Sequence, residues 1–297
     1  MPLPLTQAII EQWVSITKGQ FNVRDIWNEV GIDSPEGKKY LRTILERLEG
    51  KGLIKQIDRG FGNYRCVDSE AVKMDLEAAD PAKTVPLLFP FGEHEFASIY
   101  PKSIIIIAGS KQAGKTEYLY EFIKLNMNSF PLDFFNSETG AEQMKARFMS
   151  LGIPIPPPIG GPYERYDNYA DVIDPDHISV IDYLDLNSEV YLVGAEIDAI
   201  FRKLKSGVAV IGLQKPPPSV TFFKGVKKVV ERDLAYGGGF TAKRAILYIT
   251  MGSNKLKLLH VKSPKQKKIN PQNMTFSFRF DDDGHFCDIQ RSYGDDL

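Results

Sequence analysis

Eight consecutive residues, Gly109-Ser110-Lys111-Gln112-Ala113-Gly114-Lys115-Thr116, carry the clearest chemistry in the chain. They fit GxxxxGK[ST] at every fixed position. Glycines there let backbone N–H groups turn inward around phosphate oxygens, and a helix starting at the loop aims its positive end at them. Lys115 supplies a mobile cation for the β- and γ-phosphates, and Thr116 supplies a hydroxyl for Mg2+. The flanks suit this chemistry, because an apolar run over residues 103–108 precedes the loop and a helical pattern over 114–127 follows it. The expected ligand is a nucleoside triphosphate, ATP by default, with Mg2+, and the expected contacts run from Gly109 to Glu117. The metal also needs a carboxylate. Ile178-Ser179-Val180-Ile181-Asp182 reads as an apolar strand that ends in one. That puts Asp182 at the carboxyl edge of a sheet, where open α/β folds bind nucleotides. Asp185 is the alternative ligand.

The surrounding elements must position these groups. From residue 99 onward strands alternate with helices, which predicts a mostly parallel sheet covered on both faces. Strands are expected at 103–108, 132–136, 178–184 and 208–213, and helices at 114–127, 141–150 and 189–205. Residues 152–162 are rich in proline and glycine and read as irregular. Strands alone follow, at 245–251, 255–261, 274–280 and 285–290. The last two flank Asp281-Asp282-Asp283-Gly284, a hairpin signal. Residues 1–70 read as a separate small domain. Leu5, Ile9, Trp13 and Ile16 recur at helical spacing, and a short helix over 23–30 ends at Gly31. A third helix begins at Ser34-Pro35, with the apolar stripe Leu41, Ile44, Leu45 and Leu48. Two strands, 53–57 and 63–67, close the segment, and this order resembles a winged helix. Residues 71–98, with Pro81, Pro86 and Pro90, read as a linker with an entry strand.

The order of motifs in the larger domain resembles the RecA/DnaB-type ATPases, the replicative DnaB-type helicases in particular. Phe134-Phe135-Asn136-Ser137-Glu138-Thr139-Gly140-Ala141-Glu142-Gln143 is similar to that family's second core strand, which ends in Ser-x-Glu before a helix. Val180-Ile181-Asp182-Tyr183-Leu184 resembles its metal-binding strand, and Val210-Ile211-Gly212-Leu213-Gln214 its fourth strand. The resemblance covers residues 89–280 and implies a RecA-like P-loop NTPase core of the α/β class that hydrolyses ATP with Mg2+. It implies that Glu138 is the base orienting the attacking water, and a carboxylate at a strand end suits that role. It implies that Gln214 senses the γ-phosphate. It also implies a homo-oligomer in which a basic residue reaches the neighbour's site. Here the corresponding stretch, residues 262–268, holds lysines only, so Lys262 or Lys265 would act in trans as a point charge without arginine's planar fork. Two further departures are the winged helix in place of a helical collar and Lys215-Pro216-Pro217-Pro218 after Gln214.

Three regions are locally basic. The third N-terminal helix shows Lys39, Arg42 and Arg47 opposite its apolar stripe, with Arg59 at the wing tip, as in a major-groove helix with a wing on the backbone. Such domains also dock proteins. Phe222, Phe223, Lys224, Lys227 and Lys228 pair aromatics with charge, which suits single-strand contact. Residues 255–268 hold the third cluster. DNA is therefore an expected partner, although a formal net charge of −1 over 297 residues advertises none globally. Two distant cysteines and no apolar run near 20 residues suggest a reduced, cytoplasmic protein that does not span a membrane. The leading expectation is a DNA-associated ATPase: a motor, a loader or a recombinase-like protein. The alternatives are a DNA-binding regulator switched by ATP with little turnover, and a signalling ATPase that works with protein partners.

Overall fold

The computed structural model describes residues 6–17, 19–58, 60, 62–68, 71, 73–184, 192–223 and 226–292, the side chains of 220–223 and 226–230 excepted. The chain divides into two units, Met1–Ala79 and Asp80–Leu297.

The first unit contains α1 (Gln7–Ile16), β1 (Gln20–Asn22), α2 (Val23–Val30), α3 (Pro35–Gly50), β2 (Ile54–Gln56) and β3 (Asn63–Cys66). Local chemistry sets each helix start. Asn22 caps α2 in a reciprocal box with Asp25, and Ser34 accepts from the Gly37 N–H ahead of α3, with Pro35 at the first helical position. Gly31 ends α2 in the left-handed region. The three strands pair antiparallel in the order β1-β3-β2, and β1 is a strand that the sequence pattern does not announce. Ile10, Val14, Phe21, Ile26, Leu41, Ile44, Leu45, Leu48 and Ile54 form this unit's own core.

The second unit is α/β. Its elements are β4 (Ser103–Gly109), α4 (Lys115–Asn126), β5 (Leu132–Asn136), α5 (Ala141–Ser150), β6 (Gly160–Glu164), β7 (Ile178–Asp182), α6 (Leu192–Lys203), β8 (Val208–Gln214), β9 (Ser219–Phe223), β10 (Val226–Val230), α7 (Gly239–Ala242), β11 (Ala245–Gly252), β12 (Lys255–Val261), β13 (Thr275–Phe280) and β14 (Phe286–Ser292). Nine strands make one sheet in the order β14-β13-β12-β11-β4-β8-β7-β5-β6, while β9 and β10 pair separately. From β11 to β6 every pairing is parallel, and β12, β13 and β14 extend the sheet antiparallel. β4 is buried along its whole length. Both faces are covered, which is why its sequence is a continuous apolar run rather than an alternation. Tyr118, Leu119, Phe122, Met144 and Phe148 from α4 and α5 pack on one face, and Val193, Ile197 and Ile200 from α6 on the other. No helix among the described residues is long and apolar enough to cross a membrane.

Two expectations change. Residues 71–98 are not one linker, because Leu87, Phe89, Phe91, Phe96 and Ala97 are buried in the larger core, where Phe89 packs on Phe122 and Phe91 on Tyr118. The prolines obscure an apolar segment that lies along α4. Residues 152–162 are not wholly irregular either, since β6 begins at Gly160 and adds a parallel edge strand beside β5.

Candidate functional site

The carboxyl ends of the parallel strands bring the chemistry together. The chain leaves β4 at Gly109 to build β5, β6, β7 and β8 on one side of it and crosses to β11 on the other side only after β8, so the connections from the neighbouring strands β4 and β8 run in opposite directions. Such a reversal of strand order opens a crevice at the carboxyl edge. The loop turns there through Gln112 (φ 63°) and Gly114 (φ 89°). Gly114 caps α4 without a side-chain hydrogen bond, which leaves the N–H groups of the helix's first turn to face a ligand. A methyl group on Gly114 would lie 2.6 Å from the Phe280 ring, so the position is restricted to glycine by space as well as by φ.

Lys115 is only 7 % exposed. Its stem crosses β8 over Gly212, where a methyl group would lie 3.3 Å from Lys115 Cδ. Its Nζ stands 4.0 Å from Glu138 Oε2, 4.0 Å from Asp182 Oδ1 and 4.0 Å over the Tyr183 ring. Asp182 is fully buried at the end of β7, and no described hydrogen bond reaches either carboxylate oxygen. Burial pushes its carboxyl above the ordinary value, against the opposing pull of Lys115 and Thr116. A buried carboxylate facing Lys115 and Thr116 beside a phosphate loop has the donor character for Mg2+. Among the described residues no group of three or more His, Cys, Asp or Glu stands together as a metal cage. Mg2+ commonly combines one or two protein oxygens with substrate phosphates, and Asp182 with Thr116 would supply that share. Asp185 lies outside the described residues.

Glu138 is half-exposed, on the loop that follows β5. Two residues that sequence reasoning left unassigned hold it there. Asn136 Oδ1 accepts from the N–H groups of Glu138 and Thr139, and its amide donates to Thr139 O at 2.7 Å. Ser137 N–H donates to Asp182 O, and its hydroxyl donates to Tyr183 O at 2.7 Å. The loops that carry Glu138 and Asp182 are thus fastened through one serine, the first residue of Ser-x-Glu. Gln214 ends β8, half-buried. The next residue, Lys215, is also buried. Its N–H donates to Gly109 O at 2.9 Å, and its Nζ donates to Thr250 Oγ1 and Met251 O on β11. Burial holds its ammonium below the ordinary value, opposed by Glu231 and Asp233. Nothing in the local sequence distinguishes this lysine from a solvated one.

The other expected residues fall elsewhere. Glu117 is buried, and its carboxylate is committed to His285 Nδ1 at 2.7 Å, so its backbone alone remains for a nucleotide. His285 reaches the Ser150 hydroxyl with its other nitrogen. That chain ties the β13–β14 turn to α4 and α5, and the bond to Glu117 raises the His285 pKa above the ordinary value. Lys262 and Lys265 follow β12 at the amino edge of the parallel strands, the edge opposite the loop, and their ammonium groups donate to Lys243 O and His94 O. They are outside this chain's own site. Lys39 and Arg42 are exposed on α3, whereas Arg59 and Lys224 lie outside the described residues. A scan of protein-family models finds no match to the chain, and a search of curated proteins finds none.

Proposed function

We propose that residues 80–297 form a RecA/DnaB-type ATPase that hydrolyses ATP with Mg2+, and that residues 1–79 are a winged helix that docks DNA. The observation that carries the reading is the buried Lys115 ammonium standing between Glu138 and Asp182 at the mouth of a phosphate loop. In this reading the loop N–H groups and Lys115 hold the β- and γ-phosphates. Thr116 and Asp182 hold Mg2+, which neutralises charge on the phosphates when bound. Glu138, exposed enough to meet solvent, orients a water and takes its proton. Gln214 reads the γ-phosphate, and the Lys215–Gly109 hydrogen bond couples its strand to the loop. α3 offers Lys39 and Arg42 to DNA phosphates, and β2 with β3 forms the wing.

The test is ATP turnover with and without single- and double-stranded DNA. Expected is Mg2+-dependent hydrolysis that DNA stimulates. Lys115→Ala should weaken ATP binding at least tenfold, about 1.4 kcal/mol, while Glu138→Gln keeps ATP affinity and loses most turnover. Unchanged ATP affinity in Lys115→Ala on calorimetry overturns the site. Wild-type turnover in Glu138→Gln moves the base elsewhere.

A further inference from the structure

Lys215 is only 3 % exposed although it carries a charge. It stands one residue past β8, and the strand order puts β4 between β8 and β11. Those two strands lie two spacings apart, about 10 Å, a gap that a long side chain with donors at its tip can close. The Lys215 side chain does so. It crosses the end of β4, the strand that carries the phosphate loop, and donates to Thr250 Oγ1 at 3.0 Å and to Met251 O at 3.2 Å on β11. Met251 O also accepts the Ser110 N–H at 3.3 Å, while the Lys215 N–H holds Gly109 O at 2.9 Å. The first two residues of the loop are thus tied to one lysine, Gly109 directly and Ser110 through a shared carbonyl. Glu231 and Asp233 share a cavity of about 440 Å3 with Lys215 and favour its charged form against burial.

We infer that Lys215 is a positioning residue for phosphoryl transfer: its ammonium fixes the root of the phosphate loop against β8 and β11, and so sets where the γ-phosphate lies relative to Glu138 and Gln214. This rests on the ATPase reading of the site. The rest of the loop is held by other means. The Ala113 N–H donates to Ser110 O, and α4 opens with the Tyr118 N–H on Gly114 O. The cradle of N–H groups can therefore form without the Lys215 ammonium. What the ammonium adds is the cradle's place beside the strand that ends in Gln214. Holding phosphates depends on the cradle, whereas in-line attack depends on its place. A misplacement of about 1 Å there costs about a hundredfold in rate. Loss of the ammonium should therefore show in kcat more than in nucleotide affinity.

The test is Mg2+-ATP turnover of the full chain, with and without DNA, and ADP calorimetry on the same samples to count folded sites. Lys215→Met keeps the stem and the backbone bond to Gly109 but removes the ammonium donors. Its kcat per ADP-binding site should fall by about tenfold or more, while Kd for ADP changes by less than about threefold. A lysine that served folding alone would lower the number of sites and leave kcat per site unchanged. Thr250→Val removes one acceptor and keeps shape and charge, so kcat per site should fall by about threefold, the loss of one hydrogen bond. The double variant should be no slower than Lys215→Met, because the bond that Thr250→Val removes is already gone. Should Lys215→Met fail to fold, Thr250→Val carries the test alone. Wild-type kcat per site in the variants that fold would overturn the positioning role and leave the ATPase reading standing. Equal losses of kcat and ADP affinity would place Lys215 in the cradle itself and overturn the role as stated. Wild type that turns over no ATP would overturn the ATPase reading and the positioning role with it.

Discussion

An ammonium group buried beside two carboxylates is an expensive arrangement to hold without a ligand, since each charge loses water that the others replace only in part. Lys115, Glu138 and Asp182 sit in that arrangement. A bound triphosphate and its metal would complete it, the anion meeting Lys115 and the cation meeting Asp182. These three residues were legible because each ends or follows a strand with a distinctive pattern. Ser137 and Asn136 were legible only as letters beside Glu138, since their work is done through hydrogen bonds that the fold creates. A different buried carboxyl should contribute a pH dependence to stability. Glu93 is fully buried, accepting from Tyr118 Oη at 2.8 Å and from the Phe91 N–H at 3.0 Å. Burial pushes it from 4.5 to about 7, with those bonds opposing the rise. Below pH 4.5 both the folded and the unfolded chain hold the proton. Between 4.5 and about 7 only the folded chain keeps it, so this group's stability contribution falls as pH rises through that window. Glu93→Gln should remove the fall. The variant's stability relative to wild type should therefore climb between pH 5 and 7.5, by at most about 3 kcal/mol. Denaturant titrations at those two pH values check it, and a constant offset between the two proteins would show that Glu93 does not titrate there.

The β13–β14 hairpin illustrates what spacing reveals about an element and what it hides. Its turn was readable from Asp281-Asp282-Asp283-Gly284, and Asp281 Oδ1 does accept from the N–H groups of Asp283 and His285. Its destination was not readable, because contacts across more than a hundred residues leave no local periodicity. The strands carry the turn past the end of β12, where Phe280 and Phe286 lie on Gly114 and His285 bonds Glu117 and Ser150. β6 and the segment around Phe91 were hidden for another reason, since proline and glycine there mask residues that still pair or pack. The hairpin contact yields a prediction. Gly114→Ala adds a methyl group that meets the Phe280 ring and also forces φ 89° on a residue with a side chain. The expected loss of stability is about 1–3 kcal/mol. Phe280→Ala removes the closest contact, leaving the Phe286 ring at 3.1 Å, and leaves φ unchanged. The double variant should therefore lose less stability than the sum of the singles by more than about 0.5 kcal/mol, the limit for independent sites. Additive losses would mean that the hairpin does not rest on the loop.

For the whole molecule, the α/β class and the division into a small and a large unit were legible, while the strand order was not. Local sequence announces strands, but sheet neighbours depend on which crossovers bury the most surface, and β11 reaches β4 only after the chain has built the other side of the sheet. The position of Lys262 and Lys265 at the amino edge means that any role in catalysis has to be played on another copy. If it is, mixing Lys115→Ala with Lys262→Ala/Lys265→Ala, each nearly inactive alone, should restore part of the turnover. Full activity of the lysine double variant alone would exclude the shared site. The two units give the last prediction. Each has a core of its own, built round Leu41, Ile44 and Leu45 in the first and on the two faces of the large sheet in the second. Independent cores should melt as separate transitions. The phosphate loop belongs to the second unit alone, so Mg2+-ATP should stabilise only that transition. At a hundred times Kd the linkage is about 2.7 kcal/mol, which for a domain of this size is a rise of about 5–10 °C. Scanning calorimetry of the full chain, with the fragment 1–79 as the reference for the first transition, checks both statements. The fragment should melt at the same temperature alone and within the full chain, with or without ATP. A single transition, or an equal ATP-induced rise in both, would show instead that the units unfold as one and that nucleotide in the core is felt by the N-terminal helices.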